Sequence, residues 1–169
     1  MRGEIVHGVL ERLDSVDDLS TVLDETIDSL QQPELEEMLK TGSSHREELE
    51  AEIRRIVESS EWTEYTEGEL GRDFWKELTF THLTGRRDWR FGAFDLFRPS
   101  GDRAGEAAGE NLIVDFKTHQ VTANQAARVA EDYRIQAEVY RAAGAIAGSA
   151  EVRLHFTRPN KVEEMAERG

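Results

Sequence analysis

The apolar positions of this chain change period once, near residue 72. Before that point they recur at helical spacing. Ile5, Val6, Val9, Leu10 and Leu13 form one stripe, with His7 at its edge beside Leu10 and Gly3, so a first helix is predicted to begin almost at residue 3. From residue 15 to residue 60 the pattern stays helical, through Leu19, Val22, Leu23, Ile27 and Leu30, a break at Pro33, then Leu35, Met38 and Leu39. A Gly42-Ser43-Ser44 turn comes next, and Leu49, Ile53, Ile56 and Val57 complete a helical layer of three or four segments.

After residue 72 the period becomes two, and strands are predicted over 74–81, 88–97 and 112–118, the first two joined as a hairpin at Thr84-Gly85. In the second strand Trp89, Phe91, Ala93, Asp95 and Phe97 fall on one face. In the third, Ile113, Asp115 and Lys117 share a face while Leu112, Val114 and Phe116 fill the other. A strand apolar on both faces is central. The glycine-rich excursion over 98–111 connects these two strands and lets Asp95 and Asp115 lie on adjacent ones. A helix over about 124–143 carries Val129, Tyr133, Gln136, Ala137 and Tyr140 on one stripe, which puts a glutamine where the core should be and requires a partner for it. A last strand over 151–157 completes an α/β layer, with the acidic helices inserted after the first helix.

A length of 169 residues fits one domain, with a helical part over about 15–60 and an α/β core over about 1–14 and 72–158. No apolar run approaches the ~20 residues that cross a bilayer, and the first residues do not read as a signal peptide, so a soluble, cytoplasmic protein without membrane contact is expected. There is no cysteine, so any metal must be held by oxygen and nitrogen ligands, which points to a hard divalent ion.

The net charge of -14 is confined to one segment. Residues 11–70 hold 19 acidic and 5 basic side chains, and the rest of the chain has 16 of each sign. The strand region is therefore not acidic overall. Between Arg72 and Arg103 there are 7 basic residues against 5 acidic, with Arg86, Arg87 and Arg90 around the hairpin turn, either a modest phosphate-contacting patch or a solvated turn. Four lysines against seventeen arginines, with acid excess, suit a cytoplasm at molar salt, where the Debye length is ~3 Å. A solvated or partner-binding face explains the acids equally well.

Hydrolysing a phosphodiester needs a nucleophilic water near neutral pH, relief of transition-state charge and a stabilised leaving oxygen, all of which divalent ions supply. Asp95 and Asp115 on neighbouring strands can share Mg²⁺ or Mn²⁺, with the backbone carbonyl of Phe116 and His7 as further candidate ligands. Lys117 points to the same side as Asp115 and can position the attacking water or offset charge. An acid-x-lysine pair on a strand is otherwise most often an exposed ion pair.

With Gly92 to Asp95, the Asp115-Phe116-Lys117-Thr118 strand and the Tyr133-x-x-Gln136-x-x-x-Tyr140 helix in this order, the chain resembles the PD-(D/E)xK nuclease superfamily, and more narrowly its RecB-type nuclease domains. The helix Gly3-Glu4-Ile5-Val6-His7-Gly8-Val9-Leu10-Glu11 is similar to the one that supplies a histidine ligand in that family. The strand Trp75 to Phe80 is similar to the one preceding Gly-x-x-Asp. The resemblance implies a restriction-endonuclease-like core, a central mixed sheet flanked by helices. It further implies His7, Asp95, Asp115 and the Phe116 carbonyl as ligands of Mg²⁺ or Mn²⁺, Lys117 as catalytic, and Gln136 and Tyr133 as organisers of the site or the DNA strand. Whether Glu77 joins the site or is a paired strand carboxylate stays open. His45, His82, His119 and His155 fall in no motif and read as structural or surface residues.

The activity so implied is metal-dependent hydrolysis of single-stranded DNA or DNA ends in recombination or repair. No Gly-Lys-Thr or Gly-Lys-Ser offers a P-loop, so a helicase would be a separate partner. The rival from another class is a catalytically inactive nuclease fold that binds DNA ends or a helicase. Its signature would be loss of an acid or the lysine, and none is lost.

Overall fold

Helix signals in the first third of the chain are realised with their caps. The computed structural model describes residues 2–67, 74–84, 88–100, 110–145 and 149–166. It divides into two units, Met1–Thr63 and Glu64–Gly169. In the first, α1 (Arg2–Arg12) leads through a short 3-10 turn (Val16–Asp18) to α2 (Leu19–Ser29), α3 (Pro33–Met38) and α4 (Ser44–Val57), and α5 (Ser60–Glu67) begins at its end. Pro33 sits in the first turn of α3, where a missing N–H costs nothing, and the Ser43 hydroxyl accepts the Arg46 N–H at 3.2 Å to start α4. Gly42, at φ 81, takes the left-handed turn before it.

Ile5, Val6, Val9 and Leu10 of α1, Leu19, Leu23 and Ile27 of α2, and Leu49, Ile53 and Ile56 of α4 form the buried side of this unit. Two charges are buried with them. Arg46 is only 4% exposed and is held by Asp24, by Glu50 at 2.7 Å and by the Ser20 hydroxyl at 3.0 Å, while Arg2 pairs with buried Glu52. Most other acids here, among them Asp17, Asp18, Glu25, Glu34, Glu36, Glu37, Glu47 and Glu48, lie in solvent, the disposition expected of a solvated helical face.

The second unit is built on a mixed five-stranded sheet in the order β1-β2-β3-β4-β5, comprising Trp75–Thr84, Asp88–Arg98, Asn111–Lys117, Ala150–Phe156 and Lys161–Glu164. The β3/β4 pair is parallel and the others antiparallel. Strand β5 carries no period-two apolar signal, which is why the sequence did not announce it. A parallel pair needs a crossover, supplied by α6 (Ala123–Ala130) and α7 (Arg134–Gly144). All seven residues of β3 are buried, as a central strand apolar on both faces requires. On one face Phe94, Phe97, Ile113, Val152, Leu154 and Phe156 pack with Ala126, Ala130, Ala137, Tyr140 and Ala143 of the two helices. The fit is close at the end of α7, where a methyl on Gly144 would come within 2.4 Å of Ile113 Cδ1. On the other face Leu96, Leu112, Val114 and Phe116 are buried, and Tyr65 of α5 meets His155 edge-on with ring centroids 6.0 Å apart.

Two expectations are corrected. The single helix over 124–143 is two helices, interrupted by a 3-10 turn at Glu131–Tyr133. Three residues at ~120° instead of ~100° rotate the second helix by about 60° relative to the first, so Tyr133 ends at the junction rather than inside a continuous stripe. The single face drawn through Trp89, Phe91, Ala93, Asp95 and Phe97 is also not kept. Phe91 is 76% and Trp89 55% exposed, whereas Phe94 and Phe97, three positions apart, stack 5.6 Å apart in one core. Alternation slips between them. Across the ladder, Lys76 pairs with Leu96 and Leu78 with Phe94, leaving Glu77 and Asp95 between the two pairs, and Glu77 has φ 51. The predicted hairpin turn with Arg86 and Arg87, and most of the 98–111 connection, lie outside the described residues. No helix among the described residues is long and apolar enough to cross a membrane.

Candidate active site

The backbone irregularity that spoils the alternation also creates the site. The β2/β3 ladder runs from Arg98↔Leu112 to Leu96↔Val114 and stops. Its next rung would set Asp95 across from Asp115, but the strands part there. A backbone N–H left without a ladder partner at this depth is costly. The Asp95 carboxylate takes it, accepting the Phe116 N–H at 2.6 Å. The kink opposite brings a third acid in, so that carboxylate oxygens of Glu77 and Asp95 lie within 4.8 Å of one another. Sequence left Glu77 open because a left-handed glutamate in a strand has no local signature.

Asp115 and Lys117 sit on the same face of β3, two residues apart, and both are buried, at 3% and 8% exposure. Lys117 Nζ lies 2.5 Å from Asp115 Oδ2 and donates to Gln136 Oε1 at 3.0 Å. Gln136, the glutamine that needed a partner, donates in turn to the Tyr140 hydroxyl at 2.8 Å. The Tyr133 ring covers the same ammonium, with its centroid 4.1 Å from Nζ, a contact worth about 0.5–2 kcal/mol according to its dryness. A buried ammonium thus has an anion, an amide oxygen and a π face around it, which is how such a charge becomes tolerable. The Asp115–Lys117 contact is ionic rather than an aligned hydrogen bond: Asp115 Oδ2 is buried without an aligned donor among the described residues.

Burial is the largest influence on Asp115 and raises its carboxyl to about 6. The neighbouring Asp95 charge pushes the same way, and Lys117 opposes both. Burial and then the Asp115 charge raise Tyr133, and the same two causes raise Tyr140 further, so both hydroxyls stay protonated and act as donors near neutral pH. For Asp115 the folded value exceeds the unfolded one. The stability linked to its proton is therefore complete below about 3.8 and is lost as the pH rises through about 6. In metal-free protein with EDTA, urea unfolding at successive pH values should show stability falling across that window, with a shallower fall in Asp115→Asn. Equal slopes would mean that Asp115 ionises as freely folded as unfolded.

The donor set fits a hard divalent cation. The Glu77 and Asp95 carboxylates converge, and Asp115 is close enough to Asp95 for that charge to raise its carboxyl. The Asp115 Oδ2 atom is buried without an aligned donor among the described residues, and there is no cysteine thiolate. Asp95, Asp115, Lys117, Gln136 and Tyr133 are all brought together within the second unit. His7 lies half-buried on α1 in the first. Of the histidines outside the motifs, His155 is fully buried with Nε2 2.8 Å from Asn160 Oδ1, a structural placement. His119 is different: it meets the Tyr133 hydroxyl across fourteen residues of chain, a contact with no sequence signal. The family model of the PD-(D/E)XK nuclease superfamily matches residues 1–167. A search of curated proteins finds no match.

Proposed function

The chain belongs to the PD-(D/E)XK nuclease superfamily, and we propose that it is a Mg²⁺- or Mn²⁺-dependent deoxyribonuclease of the RecB type, acting on single-stranded DNA or DNA ends in recombination or repair. The observation that carries this reading is the buried Asp115–Lys117 pair beside Asp95, where the ladder between their strands ends. A buried acid, lysine and second acid at a strand divergence cost stability and add nothing to the core. Such an arrangement is retained for chemistry more readily than for packing.

Asp95 and Asp115, with the Phe116 carbonyl, are the proposed ligands, and His7 is proposed as the nitrogen ligand on the strength of its motif. Glu77 adds a third carboxylate beside Asp95. A bound divalent ion would supply charge neutralisation at the phosphate and acidify the attacking water. Lys117, fixed by Asp115 and Gln136, directs its remaining N–H toward the nucleophile or the developing phosphate charge. Gln136 transmits the rigidity of α7 to that ammonium through its bond to Tyr140. Duplex unwinding, where needed, falls to a separate helicase.

The test is cleavage of end-labelled single- and double-stranded DNA with Mg²⁺, Mn²⁺ or EDTA, at low and molar salt. Cutting is expected with either ion and none with EDTA, faster on single strands or from ends. A folded protein that cuts nothing under any of these conditions would overturn the reading and favour an inactive nuclease fold that binds DNA ends or a helicase.

A further inference from the structure

Lys117 has three N–H donors: Gln136 accepts from one, and the Asp115 carboxylate, in ionic contact 2.5 Å from Nζ, occupies a second side of the ammonium. The direction of the third is set by whatever closes the remaining side, which is the ring of Tyr133. Tyr133 does not come from a regular helix. It ends the 3-10 turn between α6 and α7, is half-buried, and has backbone angles outside the helical range (φ -95, ψ 5). Nothing in that backbone alone keeps a long aromatic side chain over one ammonium.

The other end of the Tyr133 side chain is tied. Its hydroxyl lies 2.8 Å from His119 Nε2 and 3.2 Å from Nδ1, with the two rings 5.6 Å apart and inclined at 62°. His119 comes two residues after Lys117, on the segment that leaves β3. A backbone bond there from Val121 N–H to the His119 carbonyl, 2.9 Å, makes a tight turn, and Thr122 then caps α6. Histidine and tyrosine are therefore both mounted on short, hydrogen-bonded turns. A neutral imidazole accepts from the phenol and an imidazolium donates to it, so the link survives either charge state.

We propose that His119 is a positioning residue for the nuclease reaction: by holding the Tyr133 hydroxyl it fixes the Tyr133 ring against the Lys117 ammonium and so aims the free N–H of Lys117 at the reacting phosphate. The proposal rests on the reading of Lys117 as the lysine of that reaction. His119 itself is exposed and touches neither carboxylate in the described contacts, so its effect on chemistry runs through Tyr133 alone.

Two readouts test it, one of which needs no activity. The chain has only four lysines, so protein grown on ε-¹³C lysine gives a spectrum of four signals, and Lys117→Arg identifies the one at 117. That signal should be shifted upfield by the Tyr133 ring. The shift should shrink in His119→Ala and in Tyr133→Phe, vanish in Tyr133→Leu, and return in His119→Gln, which keeps a hydrogen-bonding side chain. On a single-stranded oligonucleotide, kcat should fall about three- to ten-fold in His119→Ala and Tyr133→Phe, the worth of one ordinary hydrogen bond, with KM unchanged. The double variant should be no slower than the slower single one.

An unmoved Lys117 signal in His119→Ala, or a moved signal with wild-type kcat, overturns the proposal. Should the wild-type protein cut no DNA, the nuclease reading fails on that result, while the spectra still decide whether His119 controls the Lys117 environment.

Discussion

Lys117→Ala is expected to abolish metal-dependent DNA cleavage, a loss of about 10³-fold or more, comparable to removing a principal acid–base or charge-stabilising group. The reason is local. Lys117 holds the only ammonium in contact with Asp115 among the described residues, and Gln136 and Tyr133 are arranged around it. Removing it also strips the buried Asp115 carboxylate of its cation, which pushes that carboxyl further up and weakens its hold on a divalent ion. Breaking a buried pair costs about 3–5 kcal/mol when the partner stays charged, so a second variant separates folding from chemistry. Lys117→Arg keeps the charge beside Asp115 and should melt near wild type, yet its planar fork cannot reproduce the contact to Gln136, and cutting should still fall by about 10²-fold. Steady-state cleavage and circular dichroism on both proteins check this. A folded Lys117→Ala that cuts at the wild-type rate would remove Lys117 from the mechanism.

The second large effect concerns Asp95. In the wild-type protein Mn²⁺ at about 100 times its dissociation constant should stabilise the fold by about 2.7 kcal/mol, some 5–10 °C for a chain of this size. Asp95→Asn should lose most of that gain and slow cleavage by about 10²-fold or more, while melting near wild type without metal. The amide oxygen explains the last point, because it can still accept the Phe116 N–H that Asp95 accepts at 2.6 Å. Asp95→Ala leaves that buried N–H without its acceptor and should cost a further ~1–3 kcal/mol of stability in the absence of metal. Differential scanning fluorimetry with and without Mn²⁺ reads all three. If Asp95→Asn gains as many degrees from Mn²⁺ as the wild type, Asp95 is not a ligand.

The two substitutions address different parts of one construction. Asp95 sits where β2 leaves β3, and its charge serves both a backbone donor and the acidic cluster with Glu77. Lys117 sits on the strand that stays in register with β4 through Lys117↔Phe156, so its position is as rigid as the core beneath it. A site that draws one group from a strand break and another from a buried central strand combines an accessible edge with a fixed reference.

Local periodicity determined most of the architecture. The apolar stripes of α1, α2 and α4 are legible because helix burial repeats at 3.6 residues. The break at Pro33 and the turn at Gly42-Ser43-Ser44 are legible because proline and glycine punctuate a helical pattern locally, and the structure adds that Pro33 opens α3 and Ser43 caps α4. The buried, doubly apolar β3, the adjacency of Asp95 and Asp115 on neighbouring strands, and the need of Gln136 for a polar partner were likewise written in the chain. Three things belonged to the tertiary structure. The slip at Asp95 and the left-handed Glu77 arise from how β1 and β2 cross the core, and a residue's own type carries no record of a φ of 51 imposed by its neighbours. The turn at Glu131–Tyr133 depends on packing α6 and α7 over the sheet, which overrides a continuous helical stripe. The bond from Tyr133 to His119 joins residues fourteen apart in sequence, a distance at which spacing says nothing and only the folded chain decides which side chains meet.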